Sequence, residues 1–138
     1  PRGLMGGILV DSNILLDLFQ NDPNWADWSE SILERYSMTD QLYINQIVYT
    51  EVSIGFRKIE ELEALLAECR IDMLPMPKEA LFLAGKAFLK YRHAKGKKRS
   101  PLPDFFIGAH AAILGCPLIT RDHSRYRTYF PTVELICP

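Results

Sequence analysis

Gly7-Ile8-Leu9-Val10-Asp11-Ser12-Asn13-Ile14-Leu15-Leu16 places a four-residue apolar run directly before a carboxylate, with a second apolar pattern after it. A run that short and apolar at every position suits a strand buried on both faces. Ser12 can cap a helix over 13–19, in which Ile14, Leu15, Leu18 and Phe19 recur at helical spacing. Working outward, the same alternation repeats. Strands are expected at 42–44, 71–74, 117–120 and 133–136, and helices at 24–36, 46–56, 60–69, 78–93, 104–114 and 122–129. Trp25, Trp28, Ile32 and Leu33 share one side of the second helix. Leu81, Ala84, Phe88 and Tyr91 form the inner face of the longest. The helix at 104–114 is apolar nearly all round and so should be buried, and Gly115 ends it. Strands alternating with helices call for an α/β chain whose parallel sheet is covered on both faces. Ligands of such folds sit outside the C-terminal strand ends.

Composition agrees with one globular domain over 1–138, without an internal repeat. The chain has 138 residues, 48% apolar and 24% charged, which excludes a disordered tail, a collagen-like repeat and a disulfide-stapled miniprotein. No apolar run approaches the roughly 20 residues that span a bilayer. Pro1–Met5 offers no apolar stretch of a signal peptide, and residues 1–4 read as a remnant ahead of Met5. Cys69, Cys116 and Cys137 are widely spaced with no CxxC pair, which fits a reducing cytoplasm better than a zinc site or disulfides. Net charge is −1, but it is divided: residues 1–85 carry a net of −8 and residues 86–138 a net of +7. Seven basic side chains fall between Lys86 and Arg99, so one surface is suited to an acidic partner such as nucleic acid.

Four carboxylates stand where carboxylates are costly or informative. Asp11 and Asp122 each follow a strand and precede a helix, so each suits either a helix cap or the ligand-binding edge. Glu51 has Ile47, Val48, Ile54 and Gly55 at positions three and four away, and so projects from or beside an inward face. A salt bridge to an arginine or a functional site would each account for it. Asp104 complements a helix dipole, yet Pro103 before it and Phe105-Phe106-Ile107 after it bury that helix start. Two carboxylates about 4 Å apart repel by roughly 4 kcal/mol at an effective dielectric of about 20. If the four converge, they must take up protons or bind a cation. Oxygen-only ligands select Mg²⁺ or Mn²⁺ over zinc. An acidic, metal-loaded pocket beside a basic segment suits a phosphodiester substrate.

Val10-Asp11-Ser12-Asn13, Thr50-Glu51-Val52, Pro103-Asp104-Phe105-Phe106-Ile107-Gly108-Ala109 and Thr120-Arg121-Asp122 together resemble the PIN domain. More narrowly, they resemble the VapC-type toxin ribonucleases of type II toxin–antitoxin pairs, in the family's order and approximate spacing across essentially the whole chain. The resemblance implies a three-layer α/β/α sandwich around a short parallel sheet, and Mg²⁺- or Mn²⁺-dependent endonucleolytic cleavage of RNA that leaves a 5′-phosphate. It implies that Asp11, Asp104 and Asp122 are metal ligands and that Glu51 completes a catalytic quartet. Ser12, Asn13 and Thr120 would orient those acids. The resemblance further implies a cytoplasmic protein with a cognate antitoxin, and a homodimer, with Trp25 and Trp28 either lining the antitoxin's groove or packing in the core.

Lys95, Lys97, Lys98 and Arg99, with Arg121 as a weaker candidate, are expected to track RNA phosphates. A solvated helix end would also explain that cluster. His93, His110 and His123 share no metal-ligand spacing. His110 is expected to be a satisfied core residue, and His123 is the one that could serve metal-free chemistry on a ribose hydroxyl. Two other functions rest on the same fold: a non-catalytic RNA-binding or scaffold module whose acids only cap helices, and a PIN-like nuclease of RNA processing rather than a toxin. A phosphatase-like or receiver-type domain fits less well. Asn13 stands where the phosphatase motif needs its second aspartate, and Thr120-Arg121 where a receiver needs lysine. No G-x-G-x-x-G follows the first strand to bind a dinucleotide.

Overall fold

The computed structural model describes residues 7–95 and 102–138. Lys97, Lys98 and Arg99, and residues 1–4, lie outside the described residues. The chain forms β1 (Gly7–Val10), α1 (Ser12–Phe19), α2 (Ala26–Ser37), β2 (Gln41–Ile44), α3 (Gln46–Ser53) and α4 (Ile59–Glu68). It continues through β3 (Ile71–Met73), α5 (Lys78–Lys95), α6 (Leu102–Leu114), β4 (Leu118–Ile119), α7 (His123–Tyr129) and β5 (Leu135–Ile136). The five strands are parallel, in the order β3-β2-β1-β4-β5. Helices cover both faces of the sheet in a three-layer α/β/α sandwich.

The strand order places the site. From β1 the chain winds outward to β2 and β3 on one side, and β4 and β5 fill the other. The direction therefore reverses between β1 and β4, and a crevice opens there at the C-terminal strand ends. Asp11 follows β1 and Thr120 follows β4, so the two residues flank that crevice. Ile8, Leu9 and Val10 are fully buried, as an all-apolar central strand requires.

Local corrections have physical causes. Asp11, not Ser12, caps α1: its side chain accepts from the Ser12 amide, which frees the Ser12 hydroxyl for another partner. The inner face of α5 is Ala80, Ala84, Ala87 and Tyr91, while Leu81 is 45% exposed. α6 packs directly on α5, and small alanines allow that approach. α6 begins at Leu102, so Asp104 lies in its first turn and is not its first residue. Leu102 and Ile113 of this apolar helix remain partly exposed. α3 stops at Ser53, and Phe56 beyond it packs on Phe19 with ring centroids 4.3 Å apart. Gly115, at φ 67°, ends α6 in the left-handed conformation as expected.

An aromatic cluster locks the three C-terminal helices together. Phe105 meets Phe88, Tyr91, Tyr129 and Phe130 at centroid distances of 5.3 to 6.2 Å. Phe130 also lies over Gly108 so closely that a Cβ there would stand 2.4 Å from its ring. Glycine in mid-helix is unfavourable in itself, and the close approach explains it here. Gly108→Ala is therefore expected to destabilise the fold by about 1–3 kcal/mol in urea unfolding. Combining it with Phe130→Leu should cost less than the two changes summed. A neutral Gly108→Ala would contradict this packing.

Candidate active site

Asp11 is the centre of the site. It is 3% exposed, at the end of the central strand. Its Oδ1 accepts from the Ser12 amide at 2.7 Å, with Ser12 Oγ at 3.4 Å. Its Oδ2 accepts from Thr120 Oγ1 at 2.8 Å and from the Tyr126 hydroxyl at 2.9 Å, with Asn13 Nδ2 at 3.4 Å. Three elements thus supply donors to one carboxylate. Burial nevertheless pushes its pKa up to about 6, and the nearby Asp104 charge adds to the rise, while the Thr120, Tyr126 and Ser12 bonds oppose it.

Glu51 and Asp104 reach the same place from other helices. Glu51 is half-buried, and its Oε1 accepts from the Ser12 hydroxyl at 2.8 Å. The hydroxyl that the altered cap left free therefore holds Glu51, so among the described residues a serine and not an arginine is its partner. Burial raises the Glu51 pKa, and Asp104 raises it further. Asp104 Oδ1 lies 3.5 Å from the Tyr126 hydroxyl. Asp11, Glu51 and Asp104, far apart in sequence, are electrostatically coupled. Asp122 sits on the turn after β4. Its amide donates to Thr120 Oγ1 at 3.0 Å, and that hydroxyl in turn donates to Asp11. Asn13 lies within 3.4 Å of Asp11, Thr120 and the Arg121 amide, tying the two strand ends together.

Arg121, expected as a weaker phosphate contact, is engaged within the chain. Its Nε donates to Asp17 Oδ2 at 2.7 Å and its guanidinium also to Oδ1 at 2.9 Å. The guanidinium stands 5.1 Å from the centroid of the Trp25 ring. Asp17 is buried and accepts from Ser29 as well. Arg121 thus anchors the turn carrying Asp122 to α1 and α2. Trp28 packs against the core and edge-on to Trp25, at 6.1 Å. A cleft of about 1090 Å³ opens between α2 and α4 over Leu18, Leu33 and Leu65, and neither tryptophan lines it. It is not the acidic cluster. Lys90, Arg92 and His93 are exposed on the last turns of α5. His110 is buried as expected but only half satisfied: Nδ1 meets Asn45 Nδ2 at 3.1 Å, whereas Nε2 has no hydrogen-bond partner among the described residues. Burial lowers its pKa to about 4, which keeps the ring neutral.

Tyr126 and Asp17 are the site residues that the sequence reading missed. Asp17 lies three residues after Ile14 on the inward face of α1, the same signal that marked Glu51. Tyr126 had a fainter one, four residues after Asp122 in a short helix that must bury one side.

The donor set can be tested against a metal. Among the described residues, no three His, Cys, Asp or Glu side chains form a group that could hold an ion by themselves. The chemistry still fits a hard divalent cation: the donors are all oxygens, and two carboxylates are pushed toward protonation by burial and by a third. Mg²⁺ is commonly bound through one or two carboxylates together with water, which needs no preformed cage.

Comparison with known proteins gives a consistent result. The PIN domain family model matches residues 8–131. No curated protein matches the chain. Among solved structures, a toxin–antitoxin complex from Klebsiella pneumoniae is 26% identical, at a TM-score of 0.64 over 92% of this chain and 95% of that one. A VapBC complex from Rickettsia felis bound to a promoter DNA fragment is 20% identical, with a TM-score of 0.71 over 94% and 97%. A DNA-bound VapBC from Salmonella typhimurium is 24% identical, with a TM-score of 0.67 over 96% and 98%.

The buried carboxylate makes a signed prediction. Between its ordinary value of 3.8 and about 6, folded Asp11 binds a proton that the unfolded chain releases. Stability therefore falls as pH rises through that window and stays reduced above it. The ionised group costs up to about 3 kcal/mol. Asp11→Asn should raise stability in EDTA at pH 7.5 and change it little at pH 4, as read by urea unfolding. A variant less stable than wild type at pH 7.5 would contradict the assignment.

Proposed function

The chain belongs to the PIN domain family, and from that premise we propose that it is a metal-dependent endoribonuclease, the toxin of a toxin–antitoxin pair. One observation carries the reading. Asp11, Glu51 and Asp104 come from separate elements and meet at the reversal point of the sheet, and among the described residues no basic side chain hydrogen-bonds to Asp11 or Glu51. Helix capping alone accounts for Asp11 but not for Glu51, which lies in the last turn of α3 where a carboxylate caps nothing, nor for its bond to Ser12. The toxin role draws on the resemblance to toxin–antitoxin complexes.

PIN domain nucleases use divalent metal ions, and here Mg²⁺ or Mn²⁺ would be held by Asp11, Asp104 and Asp122 with Glu51 beside them. Such an ion supplies positive charge for a phosphoryl oxygen and lowers the pKa of a water. The chain's own residues do the rest. Thr120, Tyr126 and the Ser12 amide fix the Asp11 carboxylate in one orientation. Ser12 holds Glu51 within reach of the same space, where its raised pKa suits it to exchange a proton with the attacking water. Arg121 holds the Asp122 turn through Asp17. Lys90 and Arg92, exposed at the end of α5 and leading toward Asp104 in sequence, would meet the RNA backbone, joined by the basic residues 95–99. The cleft between α2 and α4, with Asp27, Glu30, Glu34 and Glu68 around an apolar floor, offers a seat for a segment of the cognate antitoxin.

Incubating the purified chain with total bacterial RNA and Mn²⁺ or Mg²⁺ tests the reading. The expected products carry 5′-phosphate ends, and they disappear in excess EDTA and with Asp104→Asn. Loss of a side chain that acts in the transition state should lower the rate by at least about a hundredfold. Cuts that survive EDTA and end in cyclic phosphate would transfer the chemistry to a histidine such as His123. Full activity in Asp104→Asn would overturn the carboxylate assignment.

A further inference from the structure

Tyr126 stands outside every motif that marks the acids, yet its hydroxyl sits between two of them. The residue is 2% exposed. It donates to Asp11 Oδ2 at 2.9 Å and lies 3.5 Å from Asp104 Oδ1. A buried tyrosine hydroxyl requires a partner, but one neutral acceptor would satisfy it. Its single proton goes to Asp11 Oδ2, and Asp104 Oδ1 lies at the outer limit of the same hydroxyl, so one dipole lies between two carboxylates that repel each other. Burial and the surrounding acids push the Tyr126 pKa well above its ordinary value, so the hydroxyl remains a donor.

The lone pairs of Asp11 sharpen the point. Its Oδ2 receives two short hydroxyl bonds, from Thr120 and Tyr126, which fill both of its lone-pair directions. Its Oδ1 receives one short bond, from the Ser12 amide. The spare acceptor capacity is therefore on Oδ1, the oxygen beside Ser12, whose hydroxyl holds Glu51. Tyr126 itself is fixed by its helix: α7 packs on α6, which carries Asp104, and Phe130 at its end packs on Phe105 and Gly108.

We propose that Tyr126 is a positioning residue of the acidic cluster. Its hydroxyl fixes Asp11 against Asp104 and leaves Asp11 Oδ1 as the oxygen that meets a divalent cation. The proposal rests on the metal-nuclease reading and goes beyond it by assigning a role to a residue outside the acidic quartet. Tyr126→Phe removes only the bridging oxygen and keeps the ring in its packed place.

Mn²⁺ binding followed by electron paramagnetic resonance tests this without any RNA. Wild type, Tyr126→Phe and Tyr129→Phe are compared, the last removing a hydroxyl from the same helix outside the bridge and keeping its ring on Tyr91 and Phe105. Mn²⁺ affinity should fall about tenfold in Tyr126→Phe and stay near wild type in Tyr129→Phe. Near-ultraviolet difference absorbance on adding Mg²⁺ should show a tyrosine signal in wild type that Tyr126→Phe lacks. Unchanged Mn²⁺ affinity in Tyr126→Phe, or an equal fall in Tyr129→Phe, overturns the proposal and leaves the metal reading standing. A wild-type chain that takes up no Mn²⁺ overturns the metal reading, and the proposal with it.

Discussion

A single buried carboxylate at the end of the central strand constrains everything around it. Asp11 cannot move without breaking the cap of α1, and its second oxygen is held by a strand-end threonine and a tyrosine from the last helix. Those donors tie β1, β4 and α7 to one atom pair. They do not neutralise it, because hydroxyls and an amide carry no net charge, and burial still raises its pKa. Around Asp11, the described donors supply hydrogen bonds without a balancing positive charge. Such an arrangement is costly for stability, and recruitment of a cation at the same place would offset the cost.

Much of this was legible in the sequence. The alternation of short apolar runs with helical periodicity gave the parallel α/β fold, since a strand buried on both faces has no polar positions to disguise it. The rule that ligands sit beyond the C-terminal strand ends then selected Asp11 and Asp122. Glu51 was legible for a different reason, a carboxylate among apolar neighbours at helical spacing. Asp104 was marked by the apolar residues around a helix start.

Less legible was everything that depends on which side of a helix meets which neighbour. Of the expected inner face of α5, Ala84, Phe88 and Tyr91 pack inward, but Leu81 is exposed and Ala80 and Ala87 are buried, because the close approach of α6 favours small side chains. The capping role passed from Ser12 to Asp11, which sequence spacing cannot distinguish when both residues are good caps. The Arg121–Asp17 pair was not foreseen because the two residues are remote in sequence and are adjacent only through the packing of α1 beside the β4 turn. Tyr126 escaped for the same reason. Its hydroxyl has meaning only once three elements converge.

The central claim is that these acids form a cation site. Crystals soaked in Mn²⁺ and measured at an X-ray energy where manganese scatters anomalously would locate any bound ion directly. The account predicts an anomalous peak against the Asp11 and Asp104 carboxylates. Peaks confined to other surfaces, with none at Asp11, would contradict it.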